Sequence, residues 1–577
     1  MSEKALVLGN QALARGAWEA GVTVAVAYPG TPSTEITESI AAYGEIHAQW
    51  APNEKVALEY AMGAAIAGAR TLVCFKHVGL NVAADPLFTA AYTGINAGLV
   101  IVVADDPGMH SSQNEQDSRY YARSAHVPML EPADSQEAID FMNAAYEISE
   151  RYNTPVFIRT TTRISHSRSV AKLSGRRQAP PVPYKKDAAR FVMLPGNARR
   201  RHIEVEKRDN LLARDANEMA VNRVEPGDAS LGIIASGAAY QYAREAACKA
   251  SMLKLGMVHP LPMDLIRRFA ESVDRLVVVE ELEPVIEEQI KAAGIDCEGK
   301  ALFSRQGELS TAVIAGALGL PAPESPAMDA LVVRPPVMCP GCPHRPAYHV
   351  INKLKLTVMG DIGCYTLGAL PPVSAMDACL CMGASIPMAH GMQRALGGEA
   401  AKKVVAVIGD STFFHSGITG LVDMVYNGGA GTVLILDNST TGMTGHQDHP
   451  GTGKTLKKEI AQAVDLEALV KACGVRYVRS VDPFDMKALE TALKEETERD
   501  DVSVIIVRRS CALLPGQRHG IFHVDADACR RCKRCLTLGC PAIEKTAEHP
   551  FVNPALCSGC GLCAGVCPFG AIERKGA

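Results

Sequence analysis

Eight of the chain's 18 cysteines fall in its last 49 residues, and their spacing leaves that segment little freedom. Cys529, Cys532 and Cys535 stand at C-x-x-C-x-x-C spacing, with Cys540-Pro541 after them. Cys557, Cys560, Cys563 and Cys567-Pro568 repeat the run. Tight C-x-x-C turns bring thiolates to one inorganic core, and a distant cysteine closes the cage. Paired zinc knuckles and a disulfide knot are the competing readings, but zinc sites use two C-x-x-C pairs rather than triplets ending in Cys-Pro. The pattern predicts two 4Fe–4S clusters, and therefore a protein that moves single electrons.

The doubled run resembles the bacterial two-cluster ferredoxin signature, in which the fourth cysteine of each run serves the other cluster. That resemblance implies one set of Cys529, Cys532, Cys535 and Cys567, and a second of Cys540, Cys557, Cys560 and Cys563. Four residues precede Cys540 where three precede Cys567, so the first loop is enlarged.

With 577 residues the chain has room for three or four domains. Apolar content of 47%, only 5% aromatics and 49 glycines suit α/β domains. Balanced charge, 59 basic against 63 acidic residues, gives no basic surface for nucleic acid. The start, MSEKALVLGN, lacks the apolar core of a signal peptide, and the apolar stretch Leu99–Ala104 is far short of a membrane span. With reduced thiols and labile clusters, the expected compartment is the cytoplasm.

Along the chain, helical patterns alternate with β-branched runs at Val22–Ala27, Thr71–Phe75, Leu99–Val103 and Val156–Ile158, which predicts a parallel sheet within 1–165. Residues 166–229, basic and Pro-containing, read as a linker with one helix. A smaller α/β unit is expected over 230–320, then a Pro-rich hinge (Pro321–Pro336), a third α/β unit over 337–515 and the cysteine module over 520–577.

In the third unit a buried-strand pattern, Lys402–Ile408, runs into Gly409-Asp410-Ser411. A second strand, Thr432–Leu436, ends at Asp437-Asn438, with Asn438 28 residues after Asp410. Both polar residues then emerge at the C-terminal edge of a parallel sheet, where α/β folds bind ligands. A carboxylate and an amide oxygen are hard donors suited to Mg²⁺, and glycine lets backbone approach a diphosphate closely. The arrangement resembles the thiamine diphosphate motif, with GDS where GDG is usual and Asp-Asn where Asn-Asn is usual. The resemblance implies the Thr440 carbonyl as a further Mg²⁺ ligand.

The same unit carries Cys339 and Cys342 in MCPGCPHR, Cys364 in GDIGCYTLG and Cys511 beyond the strand Val504–Val507. Four thiolates in one domain can hold a third 4Fe–4S cluster. A structural zinc, or a Cys-Pro-Gly-Cys turn with unrelated core cysteines, remains open. Cys74, Cys248, Cys297, Cys379, Cys381 and Cys473 lack ligand spacing and read as small apolar residues.

Nearer the start, Tyr28-Pro29-Gly30-Thr31-Pro32-Ser33-Thr34-Glu35 follows a strand, and Glu54 opens the small-residue segment NEKVALEYAMGAAIAGAR. His77 and Asn81 in FKHVGLNVAADP, and Ser111–Arg119 in HSSQNEQDSR, are polar clusters after strands that serve equally as substrate contacts or loop chemistry.

These strings, with CPGCPHR, GDSTFFHSG and the terminal cysteines, resemble the 2-oxoacid:ferredoxin oxidoreductases. Within them they are most similar to the alpha subunits of the indolepyruvate ferredoxin oxidoreductases, over essentially the whole chain. The resemblance implies an α/β fold with thiamine-diphosphate-binding pyrimidine and diphosphate domains, a transketolase C-terminal-like domain and a two-cluster ferredoxin-like α+β module. It also implies that Glu54 protonates the aminopyrimidine ring, with Glu59 as rival, and that Thr31 faces substrate. The reaction implied converts an arylpyruvate, CoA and two oxidised ferredoxins to arylacetyl-CoA, CO₂ and two reduced ferredoxins. A separate beta subunit and an (αβ)₂ assembly follow. The substrate carboxylate is expected to meet some polar group near His415, His446 or Arg345, and the sequence does not say which. Two alternatives stay open: the same chemistry on pyruvate, 2-oxoglutarate or a branched-chain 2-oxoacid, and a non-catalytic electron-transfer subunit.

Overall fold

Continuous Val- and Ile-rich runs become strands buried on both faces, as parallel sheets require. The computed structural model describes residues 3–179, 182–321, 335–516 and 519–574, and two units are distinguished, Met1–Met328 and Asp329–Ala577. Most of the expected hinge Pro321–Pro336, and Pro180 and Pro181 of the expected linker, lie outside the described residues.

The first unit is built on seven strands in the order Met257–His259, Met129–Leu130, Val156–Thr161, Leu99–Asp105, Thr71–Lys76, Val24–Ala27, His47–Trp50. All neighbours are parallel except Met257–His259, which runs antiparallel to Met129–Leu130. A second sheet holds Leu276–Val279, Asp228–Ala235 and Ala250–Lys254 in parallel, with Arg223–Glu225 antiparallel at the edge. Phe75, Ile101 and Phe157 share one core with Ile234, Leu253 and Ile286, so the smaller α/β segment is not packed separately.

The stretch 166–229 is more ordered than a linker. It carries the expected helix, at Pro195–Asp215, but also Arg223–Glu225 and the strand Arg168–Leu173, which pairs with Glu3–Leu8. Both strands escape the sequence pattern because they have no apolar face; only Ala171 of Arg168–Leu173 is buried.

The second unit centres on six strands, all parallel, in the order Ala378–Cys379, Thr357–Gly360, Val404–Gly409, Gly431–Asp437, Val502–Arg508, Tyr477–Val481. Side chains alternate between faces with the period of two that a strand imposes. Val405 and Val407 join Tyr348 and Leu489 of the helices His344–Leu354 and Met486–Thr497 on one face. Val404, Ala406 and Ile408 join Ile386 and Leu421 of Ser385–Leu396 and Ile418–Tyr426 on the other. The cysteine module adds two short antiparallel pairs, Phe522–Val524 with Ile572–Arg574 at its two ends and Ile543–Glu544 with Phe551–Val552 between them, around Leu538, Leu562, Cys535 and Cys563. Among the described residues no helix is long and apolar enough to cross a membrane.

Candidate functional site

At the C-terminal edge of the second unit's sheet, the strand Val404–Gly409 hands the chain to Asp410, and a wide π-helical turn, Phe413–Gly417, precedes the helix Ile418–Tyr426. Such turns recur at functional sites. Asp410 is buried; burial raises its proton affinity, and His449, whose Nε2 lies 3.2 Å from Oδ2, opposes that shift. Oδ2 also accepts the Ser439 N–H at 2.8 Å. The Asn438 amide lies 2.7 Å from the Thr440 carbonyl oxygen and 3.2 Å from Asp410 Oδ1, and with its nitrogen turned toward them it donates to both. Turned the other way, its oxygen joins these two as a hard donor set, for which an O···O edge of about 3 Å matches Mg²⁺ coordination at 2.0–2.1 Å. The donor set fits the ion.

Gly409 has a packing reason beside the one its sequence predicts: a Cβ there would lie 2.5 Å from the Tyr365 ring, so the small residue also accommodates a neighbouring side chain. Ser411 Oγ accepts from Thr441 Oγ1 at 2.8 Å, tying the two strand-end loops together. Asp361, which the sequence reading missed, accepts the Gly383 and Ser385 N–H groups at 2.8 and 3.0 Å and so fixes the start of the helix Ser385–Leu396. Its signal was available as a second Gly-Asp at a strand end.

The cysteines gather into three sets. All 18 are free thiols, which removes the disulfide knot. Burial raises the Cys563 thiol to about 12, with Cys560, Cys540 and Cys557 adding to the effect. Burial likewise raises Cys535, beside Cys529, Cys532 and Cys567. Cys540 thus lies with Cys557, Cys560 and Cys563, and Cys567 with Cys529, Cys532 and Cys535, the neighbours that the ferredoxin resemblance implies. Cys540, Cys557, Cys560 and Cys563 line a small pocket of about 20 Å³ with Phe522, Ile543, Leu562, Arg345 and Ser558. Four thiols around one pocket are a fitting donor set for a cluster.

The third set also converges. Cys342 is pushed up to about 12 by burial and by Cys339 and Cys364; Cys364 to about 11 by burial, Cys511 and Cys339. Cys511 N–H donates to the Asn438 carbonyl oxygen at 3.0 Å, and a Cβ on Gly442 would lie 3.4 Å from Cys364 Sγ. This set therefore abuts the loop that carries the oxygen triad. On its other side Arg345 joins it to the terminal module: Nε donates to the Cys339 carbonyl at 3.2 Å and Nη1 to that of Leu538 at 2.9 Å, with Gly539 and Met338 carbonyls also engaged. Arg345 is committed to backbone between cysteine loops, which removes it as a substrate contact. His415 is buried with Nδ1 2.6 Å from Ser416 Oγ, and His446 adopts a positive φ of 68° beside the triad loop.

In the first unit Asn53 caps the helix Glu54–Ala67, its side chain accepting the Val56 N–H at 2.9 Å. Glu54 is buried, and its carboxylate packs on Gly79, where a Cβ would lie 2.4 Å from Oε1. Glu59 is exposed and ion-paired with Lys55. Thr31 is half-buried, its carbonyl oxygen 3.4 Å from Ser111 Oγ. Ser111 and Ser112 surround Asp106, whose proton affinity burial raises but hydrogen bonds from Ser112, Thr162 and Ser111 lower further. Asp117 and Arg119 instead belong to a buried ionic network with Glu280. Asn81 faces outward and accepts from Tyr121 Oη at 2.7 Å. The polar run 111–119 is thus loop at one end and core at the other.

Four family descriptions match: "Pyruvate flavodoxin/ferredoxin oxidoreductase, thiamine diP-bdg" over 15–224, "Indolepyruvate oxidoreductase domain" over 227–325, "Thiamine pyrophosphate enzyme, C-terminal TPP binding domain" over 361–507 and "4Fe-4S binding domain" over 550–573. Indolepyruvate oxidoreductase subunit IorA of Pyrococcus abyssi is 41% identical over 99% of this chain and 97% of its own length. That of Methanothermobacter thermautotrophicus is 40% identical over 100% and 98%. A solved 2-oxoglutarate:ferredoxin oxidoreductase from Magnetococcus marinus, bound to 2-oxoglutarate, coenzyme A and succinyl-CoA, is similar at 18% identity and a TM-score of 0.48, covering 55% of this chain and 65% of that one. The chain therefore belongs to the indolepyruvate oxidoreductase IorA family, oxidoreductases with thiamine-diphosphate-binding and 4Fe–4S-binding domains.

Proposed function

We propose that this chain carries out oxidative decarboxylation of arylpyruvates, of the indolepyruvate and phenylpyruvate type, with CoA as acyl acceptor and ferredoxin as electron acceptor. The observation that carries the reading is the contact between the triad loop and the third cysteine set, through Cys511 N–H on the Asn438 carbonyl. A decarboxylation cofactor site and a redox centre are built against each other. The aryl preference follows the name borne by the relatives at 40–41% identity.

Asp410, Asn438 and the Thr440 carbonyl would hold Mg²⁺, and with Gly409 and Ser411 would form the diphosphate site of thiamine diphosphate. When bound, thiamine diphosphate supplies the electron sink that lets a 2-oxoacid lose CO₂. Glu54 would be the proton partner of the aminopyrimidine nitrogen, and its burial against Gly79 keeps it out of bulk water. Thr31 would orient the substrate. Cys339, Cys342, Cys364 and Cys511 would hold one 4Fe–4S cluster, and the two crossed sets of the terminal module two more. Arg345 braces the loops between the first and second of these. A beta subunit completes an (αβ)₂ assembly.

The test is turnover by anaerobically purified enzyme, with its partner subunit, on indolepyruvate, phenylpyruvate, pyruvate, 2-oxoglutarate and a branched-chain 2-oxoacid, using a viologen acceptor. Arylpyruvates are expected to give the highest kcat/KM. A maximum on any other 2-oxoacid reassigns the substrate.

A further inference from the structure

The sheet edge that carries Thr31 and Glu54 holds one more charged side chain, to which the proposed reaction has assigned no part. Lys76 ends the strand Thr71–Lys76 and is only 8% exposed. The next residue opens the short helix whose Gly79 lies under the Glu54 carboxylate. A Cβ on Gly30 would lie 3.2 Å from Lys76 Cβ, so the lysine stem runs beneath the Tyr28–Pro32 loop. Nζ donates to the Ser111 carbonyl oxygen at 2.5 Å and reaches Ser111 Oγ at 3.5 Å; that hydroxyl lies 3.4 Å from the Thr31 carbonyl oxygen.

An ammonium taken out of water needs a counter-charge. Asp106 is the acid whose field reaches Lys76. Its oxygens are already used: Oδ2 accepts from Ser111 N–H at 2.8 Å and Ser112 Oγ at 2.6 Å, and Oδ1 from Thr162 Oγ1 at 2.6 Å. Among the described residues no carboxylate forms an ion pair with Nζ. Beside it, His77 is buried, and burial lowers its proton affinity, so it offers Lys76 no counter-charge. The other cations of this edge are committed elsewhere: Arg119 to Asp117 and Glu280, Arg159 to Asp105 and Glu131. Burial holds the Lys76 ammonium down to about 8, against the pull of Asp106. A ligand that brings its own negative charge would complete the site.

We propose that Lys76 Nζ binds the carboxylate of the 2-oxoacid substrate, next to Thr31. This inference rests on the function proposed above. A lysine suits the task as a compact point charge with three donors, of which the Ser111 contacts leave at least one free. The carboxylate is the part common to every 2-oxoacid, so Lys76 serves anchoring rather than selection of the aryl group.

The experiment compares wild-type holoenzyme, with its partner subunit, to Lys76→Met and Lys76→Arg. Steady-state turnover of phenylpyruvate is combined with calorimetric binding of 3-phenylpropionate and its neutral amide. Loss of a charged hydrogen bond predicts a KM for Lys76→Met raised roughly 10- to 100-fold with kcat within about threefold of wild type. The wild-type preference for the carboxylate over the amide should vanish in Lys76→Met and persist in Lys76→Arg. If Lys76→Met instead weakens both ligands equally, or lowers Tm with KM unchanged, Lys76 is a prop for the Ser111 loop and the proposal fails. Wild-type enzyme inactive on every 2-oxoacid would overturn the function itself, and the carboxylate–amide comparison would still decide the role of Lys76.

Discussion

Glu54 and Glu59 lie one turn apart on one helix, and their surroundings separate them: the first is buried against Gly79, the second is exposed and paired with Lys55. Glu54→Gln should retain thiamine diphosphate binding yet slow turnover by roughly 10²–10⁴-fold, the usual size of lost proton-transfer assistance. Glu59→Gln should be nearly silent, since an exposed, solvent-screened i,i+4 ion pair contributes little. Single-turnover bleaching of the clusters on adding an arylpyruvate without CoA measures both, and the reverse order of effects would exchange the two assignments. Asp410, Asn438 and the cysteines stand out in the sequence because their types and spacing are rare. Gly79, Lys76 and Asp361 do not, because their roles come from what lies opposite them. Gly409 has a second reason that no local pattern shows: Tyr365, 44 positions earlier, occupies the space a side chain there would need.

At the scale of elements, strands with two apolar faces announced themselves, while Arg168–Leu173 and Arg223–Glu225, pairing at edges through backbone alone, did not. The segment after the strand Leu99–Asp105 looked like a binding loop because it is polar, yet Asp117, Ser118 and Arg119 turn inward and join Glu280 and Asp105 in the core. Glu281 borders this network, 6% exposed, and burial raises its carboxyl to about 7, opposed by the Leu309 N–H and Arg159. The folded form then keeps a proton that the unfolded chain releases near its ordinary value of about 4.3. Between that pH and about 7 the native state binds more protons, so this group lowers stability as pH rises through the window and its effect is constant above it. Glu281→Gln should therefore raise Tm at pH 8, on the order of 2–6 °C, and change it little at pH 5. Anaerobic calorimetry at the two pH values checks this; an equal shift at both would mean that Glu281 does not titrate as described.

For the whole molecule, composition and the order of motifs announced α/β domains and a terminal cysteine module, but not that the small sheet shares a core with the large one, since shared packing leaves no periodic trace. Three cysteine sets predict about twelve irons per chain, four to a cluster. Cys339→Ser should leave about eight, the loss confined to the set beside the triad loop. Iron and acid-labile sulfide analysis reads this directly, and about eight irons in both proteins would remove the third cluster. The crossed sets of the terminal module also order events during biogenesis. Cys567 stands beside Cys535, and Cys540 beside Cys560 and Cys557, so neither cage can close on a ribosome-bound chain until the second run has emerged. On the proposed ligand sets the two cages would be interleaved loops of one thread, and metal delivery to either would wait for both. A nascent chain stalled between Val552 and Cys557 would carry four thiols from the first run that belong to two different cages, exposed to oxygen and able to complete neither.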